Sequence, residues 1–277
     1  MGHHNGIRTR YLYCAAPGKP EAAVLLIHGL LGYSFSWRFN LAALSQQANV
    51  YAIDLPGTGF SERPRQMDRS ASGLVRHLLQ FMDAAGIGEA DVVGTSHGGI
   101  LAMLLAAAGR VSRLVLVAPV NPWSEHGGLL TRVLASAVGA GVLRALWPGA
   151  GLAHDWVLKR LYGDPRRIAP GTSKAYAAPL RIPGTLDHLR GIVSAWQADL
   201  CHLERSLNLA AGPSPLADTP TLLVWGSLDR AVLPQSATIL RQHFRKAELV
   251  ILEGVGHLPY EEAPETFNRV VEDFLGR

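Results

Sequence analysis

Along the chain, short runs of almost continuously apolar residues alternate with stretches in which apolar residues recur every third or fourth position. The apolar runs at 23–28, 50–54, 91–95 and 114–118 are each bounded by Gly or Pro. Continuous rather than alternating hydrophobicity predicts strands buried on both faces, as in a parallel sheet covered by helices. Residues 7–13 alternate weakly and predict an edge strand. Helical spacing appears at 37–47, at 98–108 and at 70–85, where Leu74, Leu78, Phe81 and Met82 recur and Gly86 supplies a stop. Strand–helix–strand alternation implies parallel pairing through right-handed crossovers.

The alternation breaks after Pro119. From about 122 to 215 no buried strand is evident, and helical segments are punctuated by Pro148, Pro165, Pro170, Pro179 and Pro183. Trp123, Trp147, Trp156 and Trp196 all fall in this stretch. The strand–helix pattern then resumes with a strand at 221–225, a helix at 234–243, a strand at 247–252 and a last helix at 264–275. The simplest account is one α/β core, residues 1–121 and 216–277, with a helical insertion at 122–215 between two strands of one sheet.

Composition narrows the class of protein. The 277 residues are 48% hydrophobic and 17% charged, which is globular rather than disordered. The net charge of +4 is spread over scattered arginines without a run of five like charges, so nucleic acid is not an expected partner. Cys14 and Cys201 show neither disulfide-framework nor metal-ligand spacing, so reduced thiols in a cytoplasmic protein are expected. Residues 1–10 lack the apolar stretch of a secretory signal. The most apolar segment, 129–147, carries Arg132 and Arg144 and contains Gly139 and Gly141, so no membrane span is expected.

The candidate chemistry begins where the strand at 91–95 enters Gly94-Thr95-Ser96-His97-Gly98-Gly99 and then a small-residue helix. A serine at the tip of so tight a turn needs glycines two before and two after, because side chains there would collide. The Ser96 hydroxyl then projects above the sheet, and the amide of His97 points at a developing oxyanion. With 29 Gly in the chain, such a pentad arises by accident in roughly one chain in six, so its strand-before, helix-after context carries the weight. A serine nucleophile also needs a base, and the base an orienting acid. Asp229 follows the strand at 221–225, and His257 follows the one at 247–252, its loop loosened by Gly254 and Gly256. Both fall at carboxyl ends of parallel strands, on the same edge as Ser96, where open α/β sheets bind ligands. The loop His28-Gly29-Leu30-Leu31-Gly32 follows the strand at 23–28, and its Leu30 amide is the best partner for that of His97. His28 itself, and Asp54 at the head of a Pro-Gly turn, read as structural residues.

Together these segments resemble the α/β-hydrolase superfamily, in particular its esterase-like branch, over residues 7–121 and 216–275. The resemblance also rests on Asp54-Leu55-Pro56-Gly57-Thr58-Gly59-Phe60-Ser61 and Gly226-Ser227-Leu228-Asp229. It implies a mostly parallel eight-stranded sheet, a triad of Ser96, Asp229 and His257, and a helical cap between the sixth and seventh strands. Haloalkane dehalogenases and epoxide hydrolases are similar but carry Asp at the nucleophile position, and Ser96 argues against both. The expected activity is hydrolysis of a small to medium apolar ester or lactone through an acyl-enzyme, with no metal or organic cofactor. A Trp-bearing cap is consistent with such a substrate, although tryptophans there also serve as cap core. The same triad could instead cleave a C–C or amide bond, or persist in a ligand receptor. A monomer or homodimer is expected.

Overall fold

The computed structural model describes residues 2–4, 6–18, 21–124, 136–209 and 214–277. Strands β1 (Gly2–His4), β2 (Ile7–Thr9), β3 (Tyr11–Cys14), β4 (Ala23–Ile27), β5 (Asn49–Ile53), β6 (Ala90–Thr95), β7 (Val111–Val117), β8 (Thr221–Gly226) and β9 (Ala247–Leu252) form a main sheet and a ribbon. The main sheet has the order β3-β5-β4-β6-β7-β8-β9, and β1 pairs with β2 alone. Only the β3–β5 pair of the main sheet is antiparallel.

The expected edge strand at 7–13 is therefore two pieces. If Ile7–Cys14 is taken as one strand broken at Arg10, the fold has the eight strands expected, divided into a seven-stranded sheet and a two-stranded ribbon. Arg10 makes the break. Its amide donates to Ser61 Oγ at 2.8 Å and its guanidinium reaches Ser34 Oγ at 2.6 Å and Asp54 Oδ2 at 3.2 Å. A backbone donor given to a side chain is lost to the ladder.

Continuous hydrophobicity marks the central strands for a simple reason. Every residue of β4, β6 and β8 is buried, and successive side chains of a strand point to opposite faces. Leu25 and Ile27 join one apolar cluster, while Val24 and Leu26 join the other. The helix Ala71–Ala84 begins where expected, its N-cap Ser70 accepting from the Gly73 amide at 3.2 Å. The helix His97–Ala107 buries ten of its residues, from His97 to Ala106, which explains its small apolar composition.

The expected helix at 37–47 is replaced by a 3-10 turn, Ser34–Trp37, and a single helical turn, Leu41–Leu44. Tertiary contacts override the helical spacing here. Trp37 is fully buried against Tyr260 with ring centroids 4.5 Å apart, and the buried Asn40 amide donates to Tyr260 O at 3.1 Å and Asn268 Oδ1 at 2.8 Å.

Between β7 and β8 the described residues form helices: Ala137–Leu146, Ala150–Leu161, Thr172–Ala177, Thr185–Leu209 and Pro215–Asp218. Residues 125–135, which include Arg132 and the start of the apolar segment at 129–147, lie outside the described residues. No helix among the described residues is long and apolar enough to cross a membrane.

Candidate active site

Ser96 sits between β6 and the helix His97–Ala107 with φ 52° and ψ −121°. A left-handed φ is strained for any residue with a side chain and must be held by its surroundings. The Ser96 amide donates to Val117 O at 3.0 Å, and its carbonyl accepts from Gly99 N and Val120 N, each at 3.0 Å. The pentad's glycines allow the approach this requires. A Cβ on Gly98 would stand 2.5 Å from the Ile27 and His28 carbonyl oxygens, and one on Gly94 would stand 2.5 Å from Gly98 O. Gly29 faces the nucleophile directly: a Cβ there would lie 3.0 Å from Ser96 Cβ.

Asp229 and His257 meet. Asp229 Oδ2 lies 2.8 Å from His257 Nδ1, and the two residues are 3% and 4% exposed. Asp229 Oδ1 accepts from Ala231 N at 2.8 Å and Val232 N at 3.0 Å, so the carboxylate is fixed in rotation. A carboxylate on Nδ1 selects the Nδ1–H tautomer and leaves Nε2 free to accept a proton. Ser96 and His257 line one cavity of about 220 Å³. No hydrogen bond joins them among the described residues, and such bonds commonly tighten only when substrate arrives.

The glycines near His257 act through space as well as freedom. Gly254 takes φ 69°, but Gly256 has no room for a side chain, since a Cβ would strike Leu161 O and Gly163 N. Gly226, at the end of β8, is similarly pressed by the Val255 and Gly256 carbonyls. The His257 loop is thus clamped between β8 and the helix Ala150–Leu161, and the His257 amide donates to Leu161 O at 2.6 Å.

Glu262, which sequence reasoning missed, completes the clamp. Its Oε2 accepts from Gly256 N at 2.7 Å and Gly163 N at 2.9 Å, and its Oε1 from Asp164 N at 2.8 Å. Glu261 beside it is 3% exposed and receives Arg38 Nη2 at 2.9 Å, the Tyr162 hydroxyl at 2.9 Å and the Tyr176 hydroxyl. In sequence, consecutive glutamates at a helix start read as solvated charge; only the tertiary fold buries them.

Leu30 lies in a turn closed by Gly32 N donating to Gly29 O at 3.0 Å, with Leu31 at φ 62°. Neither the Leu30 nor the His97 amide donates to another described group, so both are free for a ligand. The His97 side chain is buried and stacks on Trp196 at 5.4 Å. Burial, and secondly the nearby His28, push its pKa down to about 4. The ring is neutral near pH 7, so the positive charge expected to develop on His257 meets no second cation there.

His28 and Asp54 are structural, as the sequence suggested. His28 Nε2 accepts from Leu55 N at 3.1 Å while Nδ1 faces Gly29 O at 2.8 Å, a neutral arrangement in keeping with a pKa that burial lowers. Asp54, away from the cavity, accepts from the Ser34 and Phe60 amides, each at 2.8 Å.

The aliphatic part of the cavity wall is built chiefly from Leu30, Leu31, Val157, Leu158, Leu161 and Leu258. None of the four tryptophans at 122–215 lines it. Trp123 stacks on His243 at 4.4 Å, Trp196 on His97, and Trp156 is 62% exposed beneath Arg160. They are packing and surface residues, so the apolar character expected of the cap pocket comes from aliphatic side chains instead.

A hydrolase-type sheet with a serine at this turn and an acid–histidine pair above the neighbouring strands defines a class of protein. The family model described as "alpha/beta hydrolase fold" matches residues 22–264, and the chain belongs to that family. Among curated relatives it is 42% identical over 98% of its length to the "Dihydrolipoyllysine-residue acetyltransferase component of acetoin cleaving system" of Cupriavidus necator. It is also 31% identical over 83% of its length to the "2-hydroxymuconate semialdehyde hydrolase" of Pseudomonas putida, covering 78% of that protein. The chain spans about two thirds of the acetyltransferase components it matches, 67% of the Cupriavidus protein and 64% of a Pseudomonas putida counterpart. Among solved structures, the enol-lactonase from Burkholderia xenovorans LB400 superposes with a TM-score of 0.79 at 24% identity, covering 100% of this chain and 99% of that one.

Proposed function

We propose that this chain is a serine hydrolase that cleaves carboxylic esters or lactones through an acyl-enzyme on Ser96. The reading rests on one observation above all: His257, paired with Asp229 at 2.8 Å, shares a cavity with a strained serine. Ser96 Oγ attacks the carbonyl carbon as His257 Nε2 takes its proton, and Asp229 holds the imidazole and stabilises its cation. The Leu30 and His97 amides receive the oxyanion. His257 then returns the proton to the leaving alcohol, and water, deprotonated by the same nitrogen, releases the acid. Every step uses side chains and amides of the chain.

The helical segment 122–215 serves in this reading as a cap over the core formed by 1–121 and 216–277, and it contributes His154, Val157, Leu158, Leu161 and Tyr176 to the cavity. The free thiols of Cys14 and Cys201 fit a reducing, cytoplasmic setting. A second reading, hydrolysis of a C–C bond in a diketone, is favoured by the likeness to the semialdehyde hydrolase.

Two assays decide. A fluorophosphonate should label Ser96, and Ser96→Ala should lose both labelling and turnover of p-nitrophenyl butanoate while keeping its fold. Turnover of a ring-cleavage diketone but not of esters would replace the ester reading with the second. An active Ser96→Ala protein would refute both.

A further inference from the structure

One group in the cavity wall has no task in the chemistry above. His154, on the helix Ala150–Leu161, lines the same cavity as Ser96 and His257 and is 8% exposed. Its Nδ1 is buried and meets no hydrogen-bond partner among the described residues. We propose that His154 selects the substrate, hydrogen-bonding a neutral oxygen function, a keto or hydroxyl group, on the acyl part beyond the carbonyl that Ser96 attacks. This rests on the acyl-enzyme reading given under Proposed function.

Buried polar atoms are nearly always partnered, and an unpartnered ring on a cavity wall is a group that a ligand can satisfy. The His154 ring is also pre-set in orientation. It stacks on Tyr176 with centroids 5.3 Å apart and planes 25° apart. Tyr176 is itself fixed: its hydroxyl donates to Glu261 and lies 2.8 Å from Ser36 Oγ. The hydroxyl proton of Tyr176 is therefore committed, whereas the His154 ring beside it has a nitrogen without a partner. The neighbouring Asp155 does not take it, since its carboxylate holds Ser173 Oγ at 2.5 Å and Lys159 Nζ at 2.8 Å.

The cavity's geometry assigns the acyl side. His154, Tyr176, Ser36 and Leu158 are all nearly inaccessible, whereas Val157 on the same wall is 37% exposed. His154, Tyr176 and Ser36 thus form an enclosed polar cluster on the cavity wall. An alcohol must leave before water can enter, so the part of the substrate held against this enclosed cluster is assigned to the acyl chain.

The electrostatics favour a neutral function over a carboxylate. The Arg38 guanidinium behind Tyr176 is spent on Glu261 at 2.9 Å and lies over the Phe35 and Phe39 rings at 4.2 Å each. Glu261 behind Tyr176 repels an anion. Burial also holds the His154 imidazole below its usual range, so it offers one N–H and one lone pair rather than a charge.

The test compares p-nitrophenyl 4-oxopentanoate with p-nitrophenyl pentanoate, which differ by the one keto group. The unaltered protein should favour the oxo ester about tenfold in kcat/KM. His154→Phe, which keeps a ring on Tyr176 but loses both nitrogens, should bring that ratio within about twofold of one. His154→Gln should retain most of the preference. General damage slows both esters alike, so the ratio isolates the hydrogen bond. A ratio near one in the unaltered protein, or an unchanged ratio in His154→Phe, overturns the proposal. If neither ester turns over, the ester reading itself fails and a binding arm decides. Methyl 4-oxopentanoate should then raise the Tm of Ser96→Ala more than methyl pentanoate does, and lose that advantage when His154→Phe is added. Equal shifts for the two esters overturn the inference.

Discussion

Replacing Asp229 by Asn changes one atom of the carboxylate, and the structure dictates where the new NH₂ goes. The Oδ1 position accepts from two amides, Ala231 N at 2.8 Å and Val232 N at 3.0 Å, so only an oxygen can sit there. The amide nitrogen is forced to the Oδ2 position, 2.8 Å from His257 Nδ1. A donor there requires Nδ1 to accept, which moves the ring proton to Nε2, the nitrogen that should deprotonate Ser96. In Ser–His–Asp hydrolases this swap lowers kcat about 10⁴-fold, or about 5 kcal/mol of transition-state stabilisation, and the geometry here gives reason to expect the same. The assay is kcat for p-nitrophenyl butanoate, with thermal unfolding alongside. Asp229→Asn keeps both backbone bonds and should melt close to the unaltered protein. Asp229→Ala deprives those two amides of their acceptor and should melt several degrees lower, consistent with about 1–3 kcal/mol for buried donors left unpaired. An Asp229→Asn protein within tenfold of full activity would refute the tautomer argument and the role given to the pair.

Gly98→Ala drives a methyl to about 2.5 Å from two carbonyl oxygens, and should destabilise by about 1–3 kcal/mol and depress turnover, read by denaturant midpoint and ester assay. Glu262→Gln keeps the shape but sets an NH₂ against at least one of the three backbone amides that donate to the carboxylate and hold the His257 loop; kcat should fall more than stability, and an unchanged kcat would argue against the clamp. His97 predicts a pH effect of defined sign. Its folded pKa of about 4 lies below the ordinary 6.5, so between those values the unfolded chain binds the extra proton and stability falls on acidification. The penalty is absent above pH ~6.5 and reaches about 3 kcal/mol near pH 4. Asp91 and Asp199, each raised to about 6 chiefly by burial, act with the opposite sign over part of that range. The comparison is therefore unfolding free energy of the unaltered protein against His97→Phe at pH 7 and 4.5, which cancels their contribution. A constant difference between the two proteins would sink the assignment of a neutral buried ring.

Where one face or both faces of an element are buried by the sheet itself, the sequence is a sufficient guide. The apolar runs became β4, β5, β6, β7 and β8, because central parallel strands need apolar residues on both sides, with β9 at the sheet edge, and Ser70 capped its helix as its chemistry requires. The guide failed where distant residues compete for the backbone. Arg10 turned one strand into two through Ser61 and Asp54, and Asn40 broke a helix through Tyr260 and Asn268. At the candidate site Ser96, Asp229, His257, Leu30 and His97 were legible because tight turns at strand ends leave glycine signatures. Glu261, Glu262 and His154 left none, since a buried charge or an unpartnered ring is defined by what surrounds it.

The sequence by itself therefore determined the class of architecture and the residues that could carry nucleophilic chemistry, through local steric demands and hydrophobic period. Tertiary structure decided everything that depends on approach between distant segments. It joined Asp229 to His257, pressed Gly29 against Ser96, drew Glu262 under the His257 loop and left His154 facing the cavity. Most of those contacts join segments tens of residues apart, and no local pattern of side chains encodes which distant partner a polar group will meet.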